Sequence, residues 1–259
     1  ADLKKALTTD HPRYKTLGTK VNDEYIQLNT AIIQIENEYY SSIRPKRLVG
    51  SGERPINALR DNGIEYVEIR ALDNNIYDPF GISDETAIFL ESFLFYCLLS
   101  EDQPCDADEI NKIQNNWGNV VLFGRDEDLK LQFKEGSIPL RDKAAEILDE
   151  MTNFESRIGD QEYRNIFKKS LESQRHKISD SNMTPSGRLL REITASGLSW
   201  DEYTDQIAKN HKKEILRLKK DVGYLEKQAK KSLEEFASKE AQEEEDFDSF
   251  LGEYLSAIE

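Results

Sequence analysis

The chain is poor in the residues that carry metal and redox chemistry. It has two cysteines, Cys97 and Cys105, and three histidines, His11, His176 and His211. Neither type recurs at a spacing that makes a zinc site or a disulfide framework, so a reducing compartment is the expectation. No G-x-G-x-x-G, no G-x-x-x-x-G-K followed by Ser or Thr, and no G-x-S-x-G is present. Dinucleotide binding, P-loop phosphate cradling and a hydrolase elbow therefore lack support, and any handling of ATP falls to a sheet surface. Basic residues are also in deficit, with 35 Lys and Arg against 50 Asp and Glu and a formal net charge of -15. That balance excludes a nucleic-acid footprint and disfavours an anionic membrane surface, because no cationic excess exists to neutralise phosphates. There is no apolar run of about 18 residues and no basic-then-apolar leader, so neither a transmembrane helix nor a signal peptide is expected. A cytoplasmic setting follows as the expectation.

What is present is enough apolar residue, 37% of the chain, for one large or two modest domains with a real core. The organising stretch is Ile64–Arg70, which follows a turn at Asp61-Asn62-Gly63. It reads as a strand with Val67, Ile69 and Ala71 on one face and Ile64, Tyr66, Glu68 and Arg70 on the other. At ~3.3 Å per residue Glu68 and Arg70 stand ~6.6 Å apart along it. That is too far for a simple salt bridge at their bases, and suited to gripping one bound group from two sides.

Upstream, residues 1–22 read as a short helix and loop. Ile26–Tyr40 reads as one or two strands, with Ile33, Ile35 and Tyr39 on one face and Gln34, Glu36, Glu38 and Tyr40 on the other. Such a polar face is in the common case simply solvated. Arg44, Lys46 and Arg47 form a compact basic segment that either meets an anionic ligand or balances acids in the same sheet. A short helix from Pro55 to Arg60 leads into the turn.

Downstream the character is helical. Ser83-Asp84-Glu85 caps an apolar segment from Thr86 to Leu99 that is expected to be buried on most of its circumference. Helices follow over 108–117, 139–154, 162–171, 186–194 and 200–217, with a short extended piece at Val120–Phe123. A stripe at Ala208, His211, Ile215, Leu218, Val222, Leu225, Ala229 and Phe236 has coiled-coil-like spacing. It reads as a long helix packing on its own domain, with a partner-binding seam as the alternative. Glu240–Asp248 is an acidic segment, and Phe247, Phe250, Leu251, Tyr254 and Leu255 mark a final docking helix.

Ile35-Glu36-Asn37-Glu38-Tyr39-Tyr40, Ile43-Arg44-Pro45-Lys46-Arg47 and Gly63–Arg70 closely resemble consecutive blocks of the proteobacterial glutamate-cysteine ligases, as do Trp117 and Thr184–Leu190. The resemblance implies an α+β fold: part of a glutamine-synthetase-like antiparallel sheet in residues 1–80, followed by a mainly helical region over 81–259 packed on it. It implies the first step of glutathione biosynthesis, in which ATP phosphorylates the γ-carboxylate of L-glutamate and the L-cysteine amine displaces phosphate. Glu68 matches a magnesium-binding carboxylate, Arg70 an arginine at the transferred phosphoryl group, and Tyr40 a tyrosine lining the cysteine site. Glu36, Glu38, Arg44, Lys46 and Arg47 match the motifs without a specific role and stand as candidate anion or substrate contacts. Family members are longer and carry further magnesium ligands in an N-terminal half with no counterpart here. The chain therefore reads as a C-terminal half, inactive without its complement. The alternatives are a non-catalytic helical interaction or regulatory module, or a related carboxylate-amine ligase with another amine acceptor.

Overall fold

In the computed structural model, residues 2–50, 52–101, 104–217, 222–241 and 246–258 are described. They fall into two compact units, Ala1–Asp73 with Asp221–Glu259, and Asn74–Lys220.

The first unit opens with α1 (Asp2–Thr8) and α2 (Pro12–Leu17), then a small hairpin of β1 (Lys20–Val21) and β2 (Glu24–Tyr25). From Ile26 to Tyr40 the sequence pattern points to strands, whereas the structure has loop and a short 3₁₀ turn at Glu36–Glu38. Side-chain hydrogen bonds hold that loop in place of a ladder: Leu28 N donates to Gln34 Oε1 at 2.6 Å, and Ala31 N donates to Asn29 Oδ1 at 2.8 Å. Asn and Gln amides offering the backbone such local partners compete directly with sheet pairing. β3 (Ile43–Lys46) and β4 (Tyr66–Ile69) then pair antiparallel, with α3 (Pro55–Asn62) between them in sequence. Gly63 ends α3 at φ +75°, a conformation that a residue with a Cβ rarely adopts.

The second unit holds α4 (Asp84–Leu99), α5 (Ala107–Phe123), the hairpin of β5 (Lys130–Phe133) and β6 (Gly136–Pro139), α6 (Leu140–Thr152), α7 (Gln161–Ser179), α8 (Pro185–Ser196) and α9 (Trp200–Arg217). Caps fix the starts: Ser83, Asp106, Asp160 and Thr184 side chains each accept a first-turn backbone N–H. The core joins α6 and α7 through Leu148, Met151, Phe167 and Leu171, with Phe89, Phe93 and Tyr96 of α4 packed on it. Each such burial is worth roughly 1.5–3 kcal/mol. α4 itself is only half covered, since Phe95, Leu98 and Leu99 remain exposed. Val120–Phe123 continues α5 rather than forming an extended piece. At Gly187 in α8 a Cβ would lie 2.3 Å from the Ser181 carbonyl oxygen, so only glycine fits that close approach.

A polar network closes the second unit. Arg188 Nε donates to Glu192 Oε1 at 2.7 Å, the Tyr203 hydroxyl donates to the other oxygen, and the Tyr77 ring lies 3.6 Å from the Arg188 guanidinium. The Tyr203 and Arg188 donors bring the Glu192 carboxyl from its ordinary 4.5 down to about 2.

The C-terminal helices belong to the first unit. α10 (Val222–Glu240) carries Val222, Leu225 and Phe236 exposed, so that part of the heptad-like stripe does not dock; Leu218 lies outside the described residues. α11 (Phe247–Ser256) docks, with Leu251 buried and Asp248 accepting from Lys20 Nζ and the Tyr25 hydroxyl. Its firmest anchor is Arg54. This side chain has no solvent exposure and meets Glu36 through two parallel bonds, Nε to Oε1 at 2.9 Å and Nη2 to Oε2 at 3.0 Å. Its third nitrogen donates to the Tyr254 carbonyl at 2.9 Å, and the Tyr254 ring covers the guanidinium at 4.2 Å. Asn57 adds a bond to the Ala257 carbonyl at 2.6 Å.

Two predictions follow from these packings. Arg54→Ala strands the buried Glu36 carboxylate, and removing one partner of a buried pair costs about 3–5 kcal/mol. Urea unfolding of the variant should show that loss; an unchanged midpoint would mean that the pair contributes nothing. Glu192 titrates lower when folded, so its contribution is present above its ordinary 4.5 and is lost as pH falls toward about 2. Glu192→Gln should flatten the acid-unfolding curve over that window when followed by circular dichroism, and parallel curves for both proteins would contradict the assignment.

Candidate active-site surface

Register decides which side chains share a face of the β3 and β4 pair. Arg44 stands opposite Glu68 and Lys46 opposite Tyr66, while Ile43 faces Ile69 and Pro45 faces Val67. Directly opposed residues of an antiparallel pair lie on the same side. Arg44, Lys46, Tyr66, Glu68 and Arg70 therefore line one face, and the apolar residues take the other. Pro45, which has no N–H for a ladder, sits where only one neighbouring strand is present.

On the polar face three cations converge on one carboxylate. Arg70 Nη2 lies 3.0 Å from Glu68 Oε1, Arg44 Nη1 3.7 Å from Oε2, and Lys46 Nζ 3.8 Å from Oε2. Glu68 and Arg70 thus do meet. Their backbone positions are two residues apart, but the longer arginine arm reaches across and the tips pair. Burial pushes the Glu68 carboxyl upward; the Arg70 guanidinium, aided by Lys46 and Arg44, outweighs it and leaves the group ionised below its usual range. Glu68 in turn raises Arg70. The cluster carries two positive charges beyond what Glu68 neutralises. The Tyr40 ring lies 4.7 Å from the Arg70 guanidinium and is 77% exposed, so it orients the arginine and remains open to solvent.

The remaining candidates divide by environment. Arg44 is buried and its Nη2 donates to the Glu36 carbonyl at 3.4 Å. Lys46 is half-buried, and both cations line a cleft of about 680 Å³ with Tyr39, Tyr66 and Leu59. Glu36 spends both carboxylate oxygens on Arg54. Glu38 is exposed and accepts from Gln34 N at 3.2 Å. Arg47 donates to the Asn62 and Gly63 carbonyls, closing the C-terminal end of α3. Arg54, which holds Glu36, was not legible as a partner from the sequence; Gly52-Glu53-Arg54-Pro55 announces a loop before a helix and nothing more.

Magnesium prefers about six oxygens in octahedral array. Among the described residues no group of three or more His, Cys, Asp or Glu side chains could hold a metal ion. Glu68 Oε2 is buried without a hydrogen-bond donor, yet it stands among three cations. These residues do not by themselves make a magnesium site. No described helix is long and apolar enough to cross a membrane.

The profile of the glutamate-cysteine ligase family matches residues 1–120. The glutamate–cysteine ligase of Pseudomonas fluorescens is 36% identical over 260 residues, covering 99% of this chain and 49% of the relative. That of Pseudomonas savastanoi pv. phaseolicola is 38% identical over 262 residues, with the same coverage. The structure of glutamate–cysteine ligase from Francisella tularensis in complex with AMP superposes with a TM-score of 0.88 at 32% identity, covering 99% of this chain and 51% of that one. A bifunctional glutathione synthetase from Pasteurella multocida shares the fold over 69% of this chain and 22% of its own, with a TM-score of 0.52 at 21% identity. The chain spans about half the length of the relatives it matches. In sequence and in structure alike, the chain is similar to about half of a glutamate–cysteine ligase.

Proposed function

We propose that this chain supplies one wall of the active site of an ATP-dependent glutamate–cysteine ligase, as its C-terminal half, in a cytoplasmic setting. In this reaction an oxygen of the glutamate γ-carboxylate attacks the γ-phosphorus of ATP and ADP leaves. The cysteine amine then attacks the acyl carbon, the bond to phosphate breaks, and γ-glutamylcysteine is released. The observation that carries the reading is the surplus of positive charge on one face of β3 and β4 in a chain of net charge -15.

Negative charge spread over a transferring phosphoryl group is stabilised by fixed cations that need no reorganisation. Arg70 is the residue to do this, since Glu68 holds one edge of its fork and Tyr40 lies against its plane. Lys46 and Arg44 extend the same field. Tyr40, open on its outer side, offers an aromatic wall to the cysteine substrate. Glu38 stays exposed for a substrate contact, whereas Glu36 and Arg47 serve by fixing the loop and the helix end. Magnesium enters with the nucleotide as part of the substrate, and Glu68 Oε2 is the oxygen of this chain nearest to such a role. The other oxygens belong to the complementary half.

The reading predicts that the chain alone releases no ADP from glutamate, cysteine and magnesium–ATP, and that mixing with a separately prepared N-terminal half of a related ligase restores release. Loss of a preorganised charge-stabilising donor lowers kcat by about a hundred- to a thousandfold, so Arg70→Ala in the mixture should fall by that much. Sustained turnover by the chain alone would contradict the need for a complement. An undiminished Arg70→Ala mixture would remove Arg70 from the chemistry.

A further inference from the structure

The second unit contains a cavity that the ligase chemistry does not use. It has a volume of about 330 Å³ and opens between α4, α6 and α7. Phe89 and Phe93 of α4, Ala144 and Ile147 of α6 and Ile178 of α7 make its walls apolar. A pocket of this size and lining, with a few convergent polar groups, is the usual form of a small-molecule site.

Its polar lining includes Lys177, Gln174, Arg141, Ser181 and Thr184 and no carboxylate. Lys177 and Gln174 stand one turn apart on α7, and Lys177 Nζ donates to Gln174 Oε1 at 3.2 Å. That bond occupies the amide oxygen and leaves Gln174 Nε2 buried with no acceptor. Burial lowers the Lys177 ammonium below its usual range, with Glu85 opposing the shift at longer range. Among the described residues Lys177 forms no ion pair. Arg141, also at the lining, is already bonded to Glu127 at 3.0 Å. No aspartate or glutamate lines the cavity. A buried donor without an acceptor is costly, and a part-buried ammonium whose opposing charge, Glu85, lies outside the lining is held weakly. One carboxylate satisfies both at once.

We propose that this cavity binds a small amphipathic carboxylate, its apolar body against Phe89, Phe93, Ile147 and Ile178 and its oxygens accepting from Lys177 Nζ and Gln174 Nε2. A phosphate dianion fits less well, because its second charge would face apolar walls with one uncommitted ammonium present. Free amino acids fit poorly too, since the cavity offers no acid for their ammonium group. The site is therefore separate from those of the ligase substrates.

The test is a calorimetric titration of the full chain with octanoate, 1-octanol and octylammonium as probes, independent of any ligase assay. A charge-assisted pair of this kind corresponds to about tenfold in affinity, so octanoate should bind saturably and about tenfold tighter than octanol, with octylammonium silent. Lys177→Met should weaken octanoate by about that factor and leave octanol unchanged. Ala144→Trp, which fills the cavity, should abolish both, with circular dichroism checking that each variant is folded. Equal affinity for octanoate and octanol, uptake without saturation, or an unaffected Lys177→Met would overturn the proposal.

Discussion

A guanidinium with no solvent exposure has to find its acceptors inside the protein, and each of the three Arg54 nitrogens has one. Glu36 takes two nitrogens in a parallel fork, the Tyr254 carbonyl takes the third, and the Tyr254 ring covers the plane. A pair of this kind contributes modestly in net terms but fixes geometry strictly, because any misplacement leaves a charge stranded. It ties the 3₁₀ turn at Glu36, the entry to α3 and the C-terminal helix α11 into one body. Through the Glu36 carbonyl it also touches Arg44, one of the three cations around Glu68. The positions of the charged face of β3 and β4 thus depend on a contact made by residues two hundred positions apart.

That face works by imbalance. A single carboxylate among three cations is strongly ionised and cannot neutralise them, so the surface holds a fixed positive field inside an acidic protein. On the proposed reading its fit to a phosphoryl group comes chiefly from arrangement, since Arg70 presents a planar fork held at one edge. Among the described residues no group of three or more His, Cys, Asp or Glu side chains could hold a metal ion, so on the proposed reading the oxygens around magnesium come from elsewhere. The chain spans about half the length of the relatives it matches.

The β4 strand and its faces were legible because turn, alternation and charged pair fall within the ten residues from Asp61 to Arg70. The helix start at Ser83 was legible for a similar local reason: cap chemistry is written in adjacent positions. The 26–40 segment misled, because its apolar alternation is real while Asn29 and Gln34 satisfy backbone groups that a strand would have paired. The hairpin at Lys130–Pro139 announces itself weakly, through an alternating Lys-Leu-Gln-Phe run before a glycine at φ +125°. The Glu68 to Arg70 contact was misjudged from backbone spacing, which ignores side-chain reach. The Arg54 clasp could not be read at all, since nothing in a sequence says which of many arginines meets a glutamate and a distant carbonyl. The same holds for the cavity at Lys177, whose character lies in what surrounds the ammonium rather than in its own neighbours along the chain.

The most direct measurement of the central claim is residue-resolved amide NMR of the full chain during titration with ATP. The account predicts shifts concentrated on residues 42–46 and 66–70, weakening as salt is raised and lost in Arg70→Ala. Shifts confined to the second unit, or none on those two strands at saturating nucleotide, would contradict it.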